Sequence, residues 1–370
     1  MPRPSAHCSQ QLIRRHRRHA SLSHRVAAVA ILTTMALCAP SICVAASSDA
    51  ARRALETGLQ QAKEGSLDEA LRSLTKATEL DPQSAEAHYQ LGLLWLTGKK
   101  SSKDAGASFR RALTQDPAHV GAQHELALLA LNDGRVREAE AGLERTIELA
   151  PRREQAYLDL AKLYERQHAS ERAEATYRAL LAVAPSHPEA LYRLASYADS
   201  HGDNAAARQY LDTLLRASPG HPDAWYLKGR MAEKANELEQ AAQAYREALK
   251  GKPDLIDARF NLAFILRSQG RSADAARQFL EVIAIKPEHA EAHMNLGLVY
   301  TTLNKLDEAE RSYEAAVNLN PTLREARYNL GVFYELHRHD LPRALAQYRR
   351  YRELGGRDER VDRIVGQAGR

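Results

Sequence analysis

Proline recurs along the chain at a nearly constant interval, and this spacing constrains the fold more than any other feature. Eight prolines keep the register, with one step of 35 residues followed by six of 34: Pro82, Pro117, Pro151, Pro185, Pro219, Pro253, Pro287 and Pro321. A small residue recurs at the same interval, mostly after a leucine: Gly58, Gly92, Ala127, Ala161, Ala195, Gly229, Ala263, Gly297 and Gly331. A period of this length predicts a row of equivalent structural units, because one globular core has no reason to repeat.

One copy of the unit, residues 290–323, indicates what it folds into. Apolar residues such as Leu296 and Val299 are spaced by three or four, which predicts one amphipathic helix. Ala309 and Tyr313 mark a second helix, and the recurring proline ends it because proline cannot donate the next backbone hydrogen bond. Each helix pair alone leaves an apolar face in water, so the units are expected to stack into one continuous core.

This repeating pattern resembles that of the tetratricopeptide repeat (TPR) family. Its repeat is a helix–turn–helix of 34 residues with small residues, an aromatic residue and a terminal proline at these offsets. The resemblance implies an all-α fold, a right-handed superhelical solenoid of about nine repeats plus a C-terminal capping helix. We predict a repeat array over 47–356 and a capping helix with tail over 357–370. The nine repeats are predicted to begin near Ala51, Ala85, Val120, Glu154, Pro188, Pro222, Ile256, Ala290 and Arg324.

The first 46 residues have a different composition from the repeats. They contain six arginines and no acidic residue, and an uncharged run from Val26 to Ala46 ends in small residues. This is the three-part pattern of a secretory signal peptide, and we predict cleavage after Ala46. An uncleaved membrane anchor is the alternative, since the run is about long enough to span a bilayer. Either reading predicts an exported protein, periplasmic or secreted, or else anchored and facing outside the cytoplasm.

Charge and cysteine content outside this leader exclude several functions. Of the 52 basic residues, 46 remain after the leader against 47 acidic ones, so the repeats lack the basic surface of a nucleic-acid-binding protein. All three cysteines, Cys8, Cys38 and Cys43, lie in the leader. The repeats therefore contain neither a disulfide nor a thiolate metal site.

No enzyme motif is present in the sequence. It contains no Gly-x-Gly, no phosphate loop and no Gly-x-Ser-x-Gly elbow. His289 and His293 are spaced like metal ligands with Glu291 between them. Structural roles explain them better: His289 belongs to an inter-repeat turn, His293 holds a helix-packing position, and Glu291 lies in the first turn of a helix, where it complements the dipole. We expect no catalytic residue, no metal and no cofactor.

The groove formed by the first helices of the repeats is the expected binding site. Asparagine occupies one offset in the last three repeats, at Asn261, Asn295 and Asn329, and Asp159 holds the matching place earlier. A carboxamide both donates and accepts, so each could hold one peptide unit of an extended ligand. This arrangement is similar to the asparagine ladder in the TPR superhelix of O-linked N-acetylglucosamine transferase, whose catalytic half has no counterpart here. The alternative is that asparagine at this offset only follows the consensus sequence of the family and binds no ligand.

Two more lines of groove residues accompany the asparagines. A mostly aromatic line offers either contact area or packing against neighbouring repeats, and its candidate site residues are Tyr192, Tyr226, Phe260 and Tyr328. An acidic line lies in the first turns of the helices, where it complements the helix dipole, at Glu189, Asp223, Asp257, Glu291 and Glu325. The acidic line favours an extended partner that is neutral to basic.

The sequence thus predicts an exported scaffold that binds extended segments of partner proteins in its groove, in cell-envelope assembly or export. Two alternatives remain open: a structural or self-associating spacer, and a non-catalytic, substrate-presenting subunit of an envelope enzyme such as a glycosyltransferase. No nucleic acid is expected as a partner, and membrane contact is expected only through an uncleaved leader.

Overall fold

The computed structural model describes residues 39–368, with side chains from Asp49 onward. The predicted leader therefore lies outside the described residues up to position 38, and its remaining part begins the first helix. Residues 39–368 form 19 α-helices and no strand, which confirms the all-α prediction. The helices divide between Asp116 and Pro117 into two compact units.

The first unit contains two helix pairs. Its helices are α1 (Ala39–Lys63), α2 (Leu67–Leu80), α3 (Ala85–Thr97) and α4 (Ser102–Gln115). Helix α1 begins earlier than the repeat start expected near Ala51, and it is the longest helix of the unit. Ala70, Leu74, Leu91 and Leu94 form the core of this unit.

The second unit contains seven helix pairs and a last single helix. The first helices of its pairs are α5 (Val120–Asn132), α7 (Glu154–Arg166), α9 (Pro188–Ser200), α11 (Pro222–Lys234), α13 (Ile256–Ser268), α15 (Ala290–Thr302) and α17 (Arg324–Leu336). The second helices are α6 (Val136–Leu149), α8 (Ser170–Val183), α10 (Asn204–Ala217), α12 (Leu238–Gly251), α14 (Ser272–Ile285), α16 (Leu306–Leu319) and α18 (Leu341–Glu353). The chain continues into α19 (Glu359–Gln367), and we number the pairs as repeats 1 to 9 from the N-terminus.

The recurring small residues and rings bring the two helices of a pair together. A Cβ atom on Gly297 of α15 would lie 2.7 Å from the ring of Tyr313 on α16, so only glycine allows this approach. The same ring position is filled in the neighbouring pairs by Tyr245, Phe279 and Tyr348, all fully buried. The period of the sequence is therefore a period of packing, in which one large ring fills the space beside one small residue.

The second helices of repeats 1 to 8 each end two residues before the recurring proline, whereas α18 is followed by Leu354 and two glycines. The residue after α16, Asn320, has a non-helical backbone with φ −131° and ψ 88°, and Pro321 follows it. Proline disfavours the helical region for the residue before it, so the chain must turn toward the next repeat here. At the other end, α19 covers the last pair with Val361 and Val365, which pack with Phe333 and Tyr348.

No helix within residues 39–368 is both long enough and apolar enough to cross a membrane.

Candidate functional site

The first helices of the last three repeats line a cavity of about 680 Å³. Helices α13, α15 and α17 form one wall, and the loop between α18 and α19 forms the other. Four of the residues singled out in the sequence lie together on this lining: Asn295, Glu325, Tyr328 and Asn329. The predicted groove residues of repeats 4 to 7 do not line it, and they occupy the corresponding first helices α7, α9, α11 and α13.

The loop wall depends on glycine. Gly356 lies so close to the ring of Tyr351 that any side chain at this position would overlap the ring. The Tyr351 ring in turn lies 5.3 Å from the ring of Tyr328, centroid to centroid, and Tyr328 donates to Asp358 at 3.5 Å. These contacts fix the loop against α17, so the cavity has a defined second wall.

The predicted ladder of polar side chains is engaged differently at each step. Asn261 donates 3.2 Å to the hydroxyl of Tyr245, and Asn295 is 4% exposed and donates 2.8 Å to the carbonyl of Glu291. Asn329 is half-buried, and its amide has no hydrogen-bond partner within the described chain. Asn329 is therefore the step of the ladder whose amide is available to a ligand in this cavity.

Asp159 is engaged as well. Its two carboxylate oxygens accept hydrogen bonds of 2.9 Å from the ring of His124 and from the amide of Gln155. Arg153 contacts the other ring nitrogen of His124 at 3.0 Å. This cluster joins repeats 3 and 4, and its polar groups already have partners.

The aromatic line is half-buried and packs on the second helices. Tyr226 lies 5.8 Å from Tyr245, and Phe260 meets Phe279 edge to face at 5.6 Å. Phe260 also stacks on His289 of the next turn at 5.1 Å, as Tyr192 does on His221 at 6.0 Å. These side chains serve the packing of adjacent repeats, and their remaining exposed edges face the groove.

The acidic residues lie in the first turns of their helices. Asp257, Glu291 and Glu325 are exposed, and Asp223 is partly exposed. The backbone N–H of Glu325 itself, followed by the Arg324 guanidinium, holds the pKa of the Glu325 carboxyl below its usual range. The carboxylates thus occupy the positive ends of helices, as the dipole argument predicts.

Arg267 was not identified in the sequence, although it is the most unusual residue of the cavity. It lies on α13 four residues after Ala263, an offset at which other repeats have an acid: Glu165, Asp199, Glu233 and Glu335. Those acids accept hydrogen bonds from Tyr197, Lys234, Tyr245 and Tyr348, respectively. The Arg267 guanidinium lies 4.8 Å over the ring of Phe264, has no carboxylate partner in the described residues, and has a pKa lowered by burial.

The histidines discussed above have structural partners. His289 caps α15, where its ring nitrogen accepts the backbone N–H of Ala292 at 3.4 Å, and His293 contacts the carbonyl of Pro287 at 3.0 Å. No group of three or more metal-ligating side chains occurs in the part of the chain that the structure describes. The cavity lining offers aromatic rings, two carboxamides, guanidinium groups and two carboxylates.

Comparison with known proteins identifies the repeats. A family model described as tetratricopeptide repeat matches residues 124–188, 158–222, 192–256, 260–323 and 302–359, and a second, described as TPR repeat, matches 58–98. No curated protein matches the chain.

Solved structures resemble the fold at low sequence identity. The C-terminal part of a TPR repeat-containing protein from Cytophaga hutchinsonii is 15% identical, with a TM-score of 0.53, over 65% of this chain and 99% of that one. PilF of Pseudomonas aeruginosa is 22% identical over 56% of this chain and 94% of its own, with a TM-score of 0.47. A tetratricopeptide repeat protein of Parabacteroides merdae is 18% identical over 67% and 97%, with a TM-score of 0.44.

Proposed function

Because the chain belongs to the tetratricopeptide repeat family, we propose that it is a non-catalytic scaffold that holds an extended segment of a partner protein. Proteins of this family generally bind protein partners. The observation that carries the proposal is the cavity of repeats 7 to 9, where Asn295, Glu325, Tyr328 and Asn329 line one surface with exposed Phe264. Rings beside amide and charged groups are the usual makeup of a site that anchors a peptide.

The test compares two double variants of the full chain. Phe264→Ala with Asn329→Ala removes a ring that is 40% exposed and an amide that has no partner among the described residues, so the fold should survive. The matched control, Leu319→Ala with Asn318→Ala, removes an exposed apolar side chain and an asparagine from α16, outside the cavity.

The measurement is capture of proteins from an envelope extract, followed by hydrogen exchange of the parent with the captured protein. We expect the parent and the control to capture the same protein, the cavity variant to lose it, and protection to increase along α13, α15 and α17. Equal capture by both variants, or protection confined to second helices, would contradict the proposal. Capture of nothing by the parent would favour the spacer alternative.

We also propose that the protein is exported, to the periplasm or beyond, and acts in assembly or export at the cell envelope. The support is the basic, then uncharged, then small-residue pattern of residues 1–46. Cell fractionation combined with N-terminal sequencing of the purified protein tests this: a start at Ser47 in the exported fraction is expected. A protein that keeps its intact leader and stays in the cytoplasmic fraction would show that the export proposal is wrong.

A further inference from the structure

The cavity of repeats 7 to 9 contains cationic groups that lack partners, and its carboxylates already have donors. Asp358 accepts the backbone N–H of Val361 at 2.9 Å and the hydroxyl of Tyr328 at 3.5 Å. Glu325 is paired with Arg324 at 3.1 Å. Arg267 and the exposed side chain of Arg357 have no ion-pair partner within the described residues.

Of these two cations, Arg267 is the informative one because it is half-buried. Partial removal of a guanidinium from water is unfavourable unless an anion or hydrogen-bond acceptor compensates, and burial does lower its pKa. Among the described residues the face of Phe264, 4.8 Å away, and the electrostatic influence of Tyr313 offset part of this cost, and a cation–π contact is worth less than an ion pair in such a position.

The surroundings of Arg267 show why no acid is present. In repeat 6 the equivalent Glu233 accepts the hydroxyl of Tyr245, but repeat 7 has Phe279 at the ring position and therefore offers no hydroxyl. An acid at position 267 would lack the ring hydroxyl that Glu233 has in repeat 6, whereas an arginine there presents its N–H groups to the cavity.

We propose that this cavity recognises a carboxylate on the partner segment, with Arg267 as its ion-pair partner and an adjacent apolar residue resting on Phe264. The inference rests on the proposed function and defines its ligand more closely. The apolar neighbour follows from the lining, in which Phe264 lies against the guanidinium and Met294 and Leu298 line the same cavity. For this end of the groove the inference replaces the expectation of a neutral to basic partner that the acidic first turns suggested.

The probe is a library of random peptides displayed on phage and selected on the full chain, on Arg267→Gln and on Arg277→Gln. Arg277 belongs to the same repeat, has a side chain 73% exposed and pairs with Asp274, so its variant removes one charge without touching the cavity. We expect peptides with an acidic residue beside an apolar one from the full chain and from Arg277→Gln, and loss of that preference on Arg267→Gln.

A selected peptide and its Glu→Gln or Asp→Asn twin then give affinities by fluorescence polarisation. The acidic peptide should bind the full chain about tenfold more tightly than its twin, and Arg267→Gln should bind both equally. Amidating the peptide C-terminus separates a side-chain carboxylate, whose binding survives, from a terminal carboxylate, whose binding is lost.

The outcomes separate this inference from the proposed function. The selected peptides could lack acidic residues and still lose binding to the Phe264→Ala, Asn329→Ala variant. This result would overturn the carboxylate inference but would still support the proposed scaffold function. Selection of no peptide beyond those captured by an unrelated protein would overturn both. Circular dichroism of each variant checks that it is folded. Replacing the half-exposed Arg267 is not expected to cause misfolding.

Discussion

Repeats 6 and 7 share one architecture and differ in the chemistry they present to the groove. In both, 13 residues of first helix pack on 14 residues of second helix, and a fully buried ring, Tyr245 or Phe279, faces the small residue. In repeat 6 the ring hydroxyl donates 2.7 Å to Glu233, whereas repeat 7 has no hydroxyl and Arg267 lies at the acid's place.

The comparison shows that the packing of a repeat and its groove chemistry are set by different residues. The small residue and the ring must keep their volumes, since interiors are close-packed. The residue four positions after the small one is partly exposed in these two repeats, as Glu233 and Arg267, so either sign of charge is compatible with the fold. A single exchange at that position changes the charge that the groove presents without changing the helix pair.

Truncating the shared ring should have the largest effect, and the same effect in both repeats. Tyr245→Ala and Phe279→Ala each leave a cavity in the core and should cost about 3–5 kcal/mol. Hydrogen exchange of α11 to α14 is the suitable measurement, because repeat arrays need not unfold in two states. If only one of the two variants lost exchange protection, the buried ring would not be the element that stabilises both repeats.

Overpacking repeat 6 should cost less and should remain local. Ala241 is fully buried, and Ala241→Leu should destabilise by about 1–3 kcal/mol. Exchange protection should fall in α11 to α14 more than in α5 and α6, because each repeat contacts only its neighbours. Gln243→Leu, at an exposed position of the same helix, is the control; uniform loss of protection in the second unit would contradict local coupling.

Alkaline pH should distinguish the two rings. Burial, followed by the hydrogen bond to Glu233, raises the pKa of Tyr245 above that of an unfolded tyrosine, which titrates near pH 10. The stability that this provides is complete below about pH 10 and is lost as the pH rises toward the folded pKa, because the unfolded chain releases the proton first. Tyr245→Phe should flatten the decline of the unfolding midpoint above pH 10, and Phe260→Tyr, on the half-buried line, should not. Equal slopes for Tyr245→Phe and the parent would refute this.

Replacing the charged residue at the equivalent groove positions 233 and 267 by glutamine should affect stability differently: it should lower stability at 233 but not at 267. Glu233→Gln weakens the hydrogen bond from Tyr245 and should cost about 1 kcal/mol. Arg267→Gln removes a half-buried cation without an ion-pair partner in the described residues, so it should leave stability unchanged or raise it slightly. Thermal unfolding of both variants beside Arg277→Gln measures this, and a clear loss for Arg267→Gln would reveal a structural role.

The turns within the two pairs should give the smallest differences. Asn236 and Gly270 occupy the same turn position, with φ of 60° and 75°. Gly270→Ala should cost about 1 kcal/mol, since a side chain is strained in this region although the space is open. Asn236→Gly should change stability by only a few tenths of a kcal/mol, because asparagine tolerates this conformation. A larger effect at Asn236 than at Gly270 in urea unfolding would contradict the argument.

Much of the fold was predictable from the sequence because its determinants are local. The spacing of Leu296 and Val299 sets one helix, that of Ala309 and Tyr313 sets the next, and Pro321 separates the pair from its neighbour. The same few local rules apply in every repeat, so errors do not accumulate along the chain. The early start of α1, at Ala39, lies where the repeat pattern is absent and its registers give no information.

The candidate site was predictable only in part. The offsets place Asn261, Asn295 and Asn329 at equivalent positions, but only the tertiary structure shows that the first bonds to Tyr245, the second to the carbonyl of Glu291, and the third to no group in the described residues. The partner is a side chain of the preceding repeat for Asn261 and a carbonyl of the same helix for Asn295, so residues that share a register differ in their hydrogen bonds.

The sequence by itself therefore determined the repeating helix pair, since period, small residue, ring and proline are all properties of the chain order. The tertiary structure alone decided which groove groups already have hydrogen-bond partners, because this depends on the distances to the side chains and carbonyl groups that the fold places nearby. Arg267 illustrates the physical reason: its residue type can be read from the sequence, but only the folded chain shows that the guanidinium lies over the Phe264 ring and has no carboxylate partner among residues 39–368.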